Sequence, residues 1–124
     1  MVSMKIIIVD DEEIIRNGLS SFLEDEGFEI LLAESAEEAL LMFEKNKDIK
    51  AAVVDIRLPG KSGSELILEI ARTMPGVKFV IYTGSTEFSL TPELEAVGIC
   101  RNQVFYKPTP AIKIINAIKK NLGV

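Results

Sequence analysis

The chain contains no histidine among its 124 residues. That absence removes Ser-His-Asp hydrolysis, histidine-ligated zinc and any role as the phosphohistidine partner in phosphoryl exchange. Tryptophan is also missing, and cysteine occurs once, at Cys100. A lone thiol has no internal disulfide partner, so a reduced thiol in a cytoplasmic protein is expected. Basic residues are the minority: 14 Lys and Arg against 19 Asp and Glu leave a net charge of −5. No basic run exceeds Lys119-Lys120, so direct nucleic-acid binding by this segment is not expected. No apolar run approaches membrane-spanning length and no basic leader precedes an apolar stretch, so no membrane partner is expected either.

What is present reads as a folded domain. A hydrophobic share of 48% with 27% charged residues argues against disorder, and the length suits one core spanning residues 1–124. Met4 follows Met1-Val2-Ser3 and offers an alternative start. Short apolar runs at Lys5–Val9, Phe28–Ala33, Ala51–Ile56, Val77–Tyr82 and Val104–Tyr106 are bounded by turn residues and read as strands. The first, third and fourth lack polar alternation, as strands buried on both faces of a parallel sheet do.

Amphipathic segments separate the runs. Glu12–Glu26 sets Ile15, Leu19, Phe22 and Leu23 on one stripe and stops at Gly27. Ser35 with Glu38, and Ser62 with Glu65, have the spacing of capping boxes. Thr91-Pro92 and Thr109-Pro110 read as N-cap and first-turn pairs, opening a short helix Pro92–Val97 and a last helix Ala111–Leu122. Ser85–Leu90 reads as a loop, and Gly98–Gln103 as a long connection. The alternation predicts the α/β class: a (βα)5 three-layer sandwich on a parallel five-stranded sheet of order 2-1-3-4-5, the flavodoxin-like arrangement.

In open parallel sheets, ligands bind beyond the carboxyl ends of the strands, where strand order reverses. Here those ends carry Asp10-Asp11, Asp55, Thr83 and Lys107. Each has a plain structural reading alone. Acidic groups suit a helix start, Asp before Pro59-Gly60 suits a turn, Thr83-Gly84-Ser85 is turn-like, and Lys107-Pro108 suits a strand terminus. Turn chemistry gives no reason for all five to share one sheet edge. Crowded carboxylates repel unless a cation intervenes, and a small hard ion such as Mg²⁺ takes carboxylate and phosphate oxygens together. With Lys107 as a fixed cation, the set suits phosphoryl transfer, which needs mainly positioning and charge neutralisation.

These residues resemble the response-regulator receiver family along essentially the whole chain. The likeness rests on Ile8-Val-Asp-Asp-Glu-Glu13, Asp55-Ile-Arg-Leu-Pro-Gly-Lys-Ser-Gly63, Tyr82-Thr-Gly84 and Tyr106-Lys-Pro108. It implies a phosphorylated signalling domain rather than an enzyme acting on other substrates. In it Asp55 accepts a phosphoryl group from a histidine kinase's phosphohistidine. It also implies Mg²⁺ held directly by Asp11 and Asp55, by Asp10 largely through water, and by the backbone carbonyl of Arg57. Thr83 and Lys107 would bind the phosphoryl oxygens, Gly84 would leave room beside them, and the Lys107-Pro108 bond would be cis. The surface of helix 4, strand 5 and helix 5 would then switch toward a downstream effector or a phosphorylation-dependent dimer. The resemblance leaves open a self-standing regulator and a piece of a longer response regulator or hybrid kinase.

Two features depart from that pattern. Val104 stands where many receivers carry the switching aromatic, three residues before the lysine, and Tyr106 shares its strand face. The Gly98–Lys107 stretch is long and Pro92 shortens the helix before it, both on the face that addresses partners. An Asp-nucleophile phosphohydrolase would share much of the site but usually carries Asp-x-Asp, and Asp55-Ile-Arg57 lacks it. A receiver reduced to an interaction module would be expected to have lost part of the acidic pair, Asp55, Thr83 and Lys107. A flavodoxin-type nucleotide site would need a Gly/Ser/Thr phosphate loop where Asp10-Asp11 stands.

Overall fold

In the computed structural model, which describes residues 3–124, five strands and five helices alternate along the chain. Of the segment before the alternative start at Met4, Met1 and Val2 lie outside the described residues. The strands are β1 (Lys5–Val9), β2 (Glu29–Ala33), β3 (Ile49–Val54), β4 (Lys78–Thr83) and β5 (Val104–Tyr106). The helices are α1 (Glu13–Asp25), α2 (Ala36–Lys45), α3 (Gly63–Thr73), α4 (Pro92–Ala96) and α5 (Ala111–Leu122). All pairings are parallel and the sheet order is β2-β1-β3-β4-β5. Among the described residues no helix is long and apolar enough to cross a membrane.

Alternating side chains split the core into two layers. Ile7, Val9, Ala52, Val54, Phe79 and Ile81 pack toward α2, α3 and α4, including Phe43, Leu66, Ile67 and Leu94. Ile6, Ile8, Ala51, Val53, Val80 and Tyr82 pack toward α1 and α5, including Leu19, Leu23, Ile114 and Ile118. The central strands β1, β3 and β4 are buried along nearly their whole length, which explains why their apolar runs lack polar alternation.

Several boundaries and caps differ from the sequence reading. β3 starts two residues earlier, because buried Ile49 opens the strand although exposed Lys50 breaks the apolar pattern. Phe28 precedes β2, its N–H donating to the Leu23 carbonyl and closing the end of α1. The α1 stripe is rotated: Arg16, Leu19 and Leu23 are the buried residues, whereas Phe22 is 55% exposed. Ser62 and Glu65 form the reciprocal capping box. Ser35 caps Glu38 only one way, since Glu38 Oε1 accepts from the Glu34 N–H instead. Thr91 caps α4 as read. Thr109 does not cap α5: its hydroxyl donates to the Tyr106 carbonyl, and Pro110 takes the N-cap position. In the Gly98–Gln103 connection, Arg101–Gln103 form a 3₁₀ turn, and buried Gln103 donates to the Phe79 carbonyl.

Candidate phosphoryl-transfer site

β4 ends in Thr83, and β1, β3 and β5 deliver the polar residue that follows each of them to the same edge because the ladder continues just past the strand end. The Asp10 N–H donates to the Ala33 carbonyl at 3.1 Å, the Asp55 N–H to Val9 at 3.0 Å, and the Lys107 N–H to Thr83 at 2.8 Å. The chain then turns away, and only the side chains stay over the sheet edge. Asp10 and Asp55 are buried, their side chains 3% and 4% exposed, while Asp11 and Glu12 stand at the rim. One carboxylate oxygen from each of these four residues lies within 4.8 Å of the others.

Lys107 crosses the edge to meet them. Its Nζ lies 2.8 Å from Asp10 Oδ2, 2.6 Å from Glu12 Oε2 and 3.1 Å from Asp55 Oδ2. It also lies 5.7 Å from the centroid of the Tyr82 ring, within reach of a cation–π attraction. Burial alone would pull this ammonium down, yet the contacts with Asp10, Glu12 and Asp55 hold it above the ordinary lysine range. Asp10 is raised as well, but by burial. Burial pushes its carboxyl above the usual aspartate value, against the opposing Lys107 contact and the Glu12 N–H, and the Asp55 charge adds to the push. One ammonium does not neutralise four carboxylates.

The remaining predicted residues lie nearby. Asp55 Oδ1 accepts from the Arg57 N–H at 3.2 Å, and the Arg57 side chain is exposed. Thr83 is fully buried and its Oγ1 accepts from the Ser85 N–H, so the hydroxyl proton is left for another acceptor. A Cβ on Gly84 would meet only Lys107 Cδ, at 3.8 Å. The Lys107-Pro108 bond is cis.

Three supports were not read from the sequence. Glu12 passed as a helix-start residue, although its N–H donates to Asp10 Oδ1 and its carboxylate reaches Lys107. Arg16 donates to the Asp10 carbonyl at 2.8 Å and to Glu34 Oε1 at 3.2 Å, tying the loops after β1 and β2 together. The available signal was a charged residue three and seven positions before Leu19 and Leu23, on the buried stripe. Tyr82 fixes the loop after β5, its hydroxyl accepting from the Thr109 N–H.

A parallel sheet whose switch edge gathers oxygen ligands and one lysine defines a phosphoryl-handling α/β domain. Comparison with known proteins narrows this. The family described as "Response regulator receiver domain" matches residues 6–119, so the chain belongs to the receiver family of two-component signalling, whose standard function is phosphoacceptance. An uncharacterized transcriptional regulatory protein, YesN of Bacillus subtilis, is 29% identical over 118 residues, covering 94% of this chain and 32% of the relative. The CheY-like receiver structure from Methanospirillum hungatei superposes with a TM-score of 0.83 at 29% identity, covering 98% of this chain and 95% of that one. TrrA of Thermotoga maritima, solved in complex with Mg(2+)-BeF, gives 0.82 at 30% identity, covering 94% and 97%. The chain spans about a third of the length of curated relatives such as YesN.

Proposed function

We propose that Asp55 is the phosphoacceptor and that the phosphoryl group comes from the phosphohistidine of a partner histidine kinase. The observation that carries this reading is Lys107, one ammonium shared among three carboxylates of which two are buried. Such a pocket is short of positive charge, and its donor set is entirely oxygen, which suits Mg²⁺. Asp10, Asp11, Asp55 and the Arg57 carbonyl are the residues proposed to hold the ion, and the Mg(2+)-BeF complex of TrrA, a 30% identical receiver of the same fold, supports Mg²⁺ as the metal. When bound, Mg²⁺ would supply charge neutralisation for the phosphoryl oxygens.

The chain's own groups do the rest. An Asp55 oxygen attacks phosphorus in line; the new O–P bond forms as the P–N bond breaks, and the imidazole keeps the electron pair. The Arg57 N–H and Lys107 hold the Asp55 carboxylate in place for that attack. The acyl phosphate brings roughly two negative charges and new acceptor oxygens. Lys107 and the Thr83 hydroxyl bind those oxygens, and Thr83 draws on the loop that Ser85 begins. Hydrolysis of the acyl phosphate resets the state. The output is proposed to run through α4, β5 and α5 to a downstream effector, or a phosphorylation-dependent dimer, in a cytoplasmic setting.

Acetyl phosphate with Mg²⁺ is expected to add the mass of one phosphoryl group to the intact protein. Excess EDTA should prevent the gain. Undiminished phosphorylation in EDTA would overturn the metal assignment.

Tyr106 is proposed to stand in for the switching aromatic absent at Val104. Its hydroxyl donates to the Phe88 carbonyl at 2.6 Å, linking β5 to the loop after Thr83. Beside it a groove of about 460 Å³ opens between Ser89, Leu90, Glu95, Arg101 and Val104. Tyr106→Phe removes one hydrogen bond, so amide exchange at residues 86–90 should accelerate roughly fivefold. Unchanged exchange rejects the link.

A further inference from the structure

The three contacts of Lys107 are not equivalent. Its three ammonium protons face three acceptors, so a phosphoryl oxygen gains Lys107 only if one acceptor leaves. Releasing Asp10 or Asp55 would strand a buried charge without its partner, which is costly. Glu12 is different. Its side chain is 59% exposed, although its Oε2 makes the shortest of the three contacts at 2.6 Å. It returns to water at little cost.

We propose that Glu12 is the replaceable partner of Lys107 and acts as a charge filter at the pocket mouth. In the resting chain it occupies the ammonium; when a donor arrives, a phosphoryl oxygen takes its place. The displaced carboxylate stays at the pocket mouth, because the Glu12 backbone N–H keeps the residue bonded to Asp10 Oδ1 at 2.9 Å. It therefore opposes donors in proportion to their negative charge and favours those that bring little. Glu12 is a positioning residue on this account, because it acts through Lys107 and not on phosphorus. The inference rests on Asp55 being the phosphoacceptor.

Full-length protein and its Glu12→Gln and Glu12→Asp variants are phosphorylated at saturating Mg²⁺, confirmed by titration for each. One donor is acetyl phosphate, a dianion near neutral pH; the other is phosphoramidate, which carries about one charge less. Glu12→Gln keeps the size and oxygen of the side chain but removes its charge. It is expected to speed acetyl phosphate labelling roughly three- to tenfold and phosphoramidate labelling by clearly less, with the difference fading at high salt. Glu12→Asp, which keeps the charge, should restore the parent ratio between donors. Equal acceleration with both donors, or none, overturns the filter while leaving Asp55 in place. No mass gain on the parent protein with either donor overturns the phosphoacceptor reading and the filter with it.

Discussion

Asp55→Asn is expected to abolish phosphoryl gain completely while leaving the chain folded. The amide keeps the shape of the carboxylate and fills the same buried place; its one oxygen can still accept from the Arg57 N–H, while its NH2 gives up the contact with Lys107. What disappears is the anionic nucleophile and one negative charge. That charge is among the influences pushing Asp10 upward, so its removal relieves part of the crowding that Asp10 now bears. Lys107 still contacts Asp10 and Glu12. Without metal, the melting temperature of the variant should therefore equal or exceed that of the parent. With Mg²⁺ its rise on adding the ion should be smaller, because one proposed oxygen ligand has lost its charge. Intact-protein mass spectrometry and thermal melts with and without Mg²⁺ separate lost chemistry from lost fold. A phosphoryl mass on the Asn variant would move the acceptor elsewhere.

The sequence revealed most where one physical cause acted alone. β1 and β4 are buried on both faces, and nothing but apolar residues survives along their middles, so their runs were plain. The alternation of strands and helices marked a parallel sheet, and the flavodoxin-like order expected for it, which the structure has, placed Asp10, Asp55, Thr83 and Lys107 on one edge. Signals failed where a residue served two ends. Thr109 resembles an N-cap, but the Tyr106 carbonyl takes its hydroxyl. Arg16 sits on the buried stripe of α1 because its guanidinium finds two acceptors there, an arrangement that hydrophobic periodicity scores as a defect. Glu12 passed for an ordinary helix-start acid because its partner is 95 residues away in sequence. Long-range ion pairs of this kind leave no local pattern. Gly63 was read only as the end of a motif, with no signal for the contact it makes.

That contact makes Gly63 the position least tolerant of a single methyl group. A Cβ there would lie 2.0 Å from the Asp55 carbonyl oxygen, 2.8 Å from its carbonyl carbon and 2.9 Å from Ile56 Cα. All three neighbours are backbone, so no side chain can swing aside. The Gly63 N–H also donates to the Ile56 carbonyl at 2.9 Å, which pins the start of α3 against the segment that carries Asp55. Gly63→Ala must therefore push α3 and the end of β3 apart, although both are packed into the same layer through Val54, Leu66, Ile67 and Ile70. A loss of about 3 kcal/mol is expected, or roughly 10 °C in melting temperature, together with slower labelling of Asp55 because its carbonyl and side chain move as one unit. Gly84→Ala is the matched control. Its Cβ would meet Lys107 Cδ at an ordinary 3.8 Å, so folding stability should change by less than about 1 kcal/mol. Thermal melts of the two variants decide the matter: equal stability would mean that α3 does not rest on the Asp55 backbone as closely as these distances require.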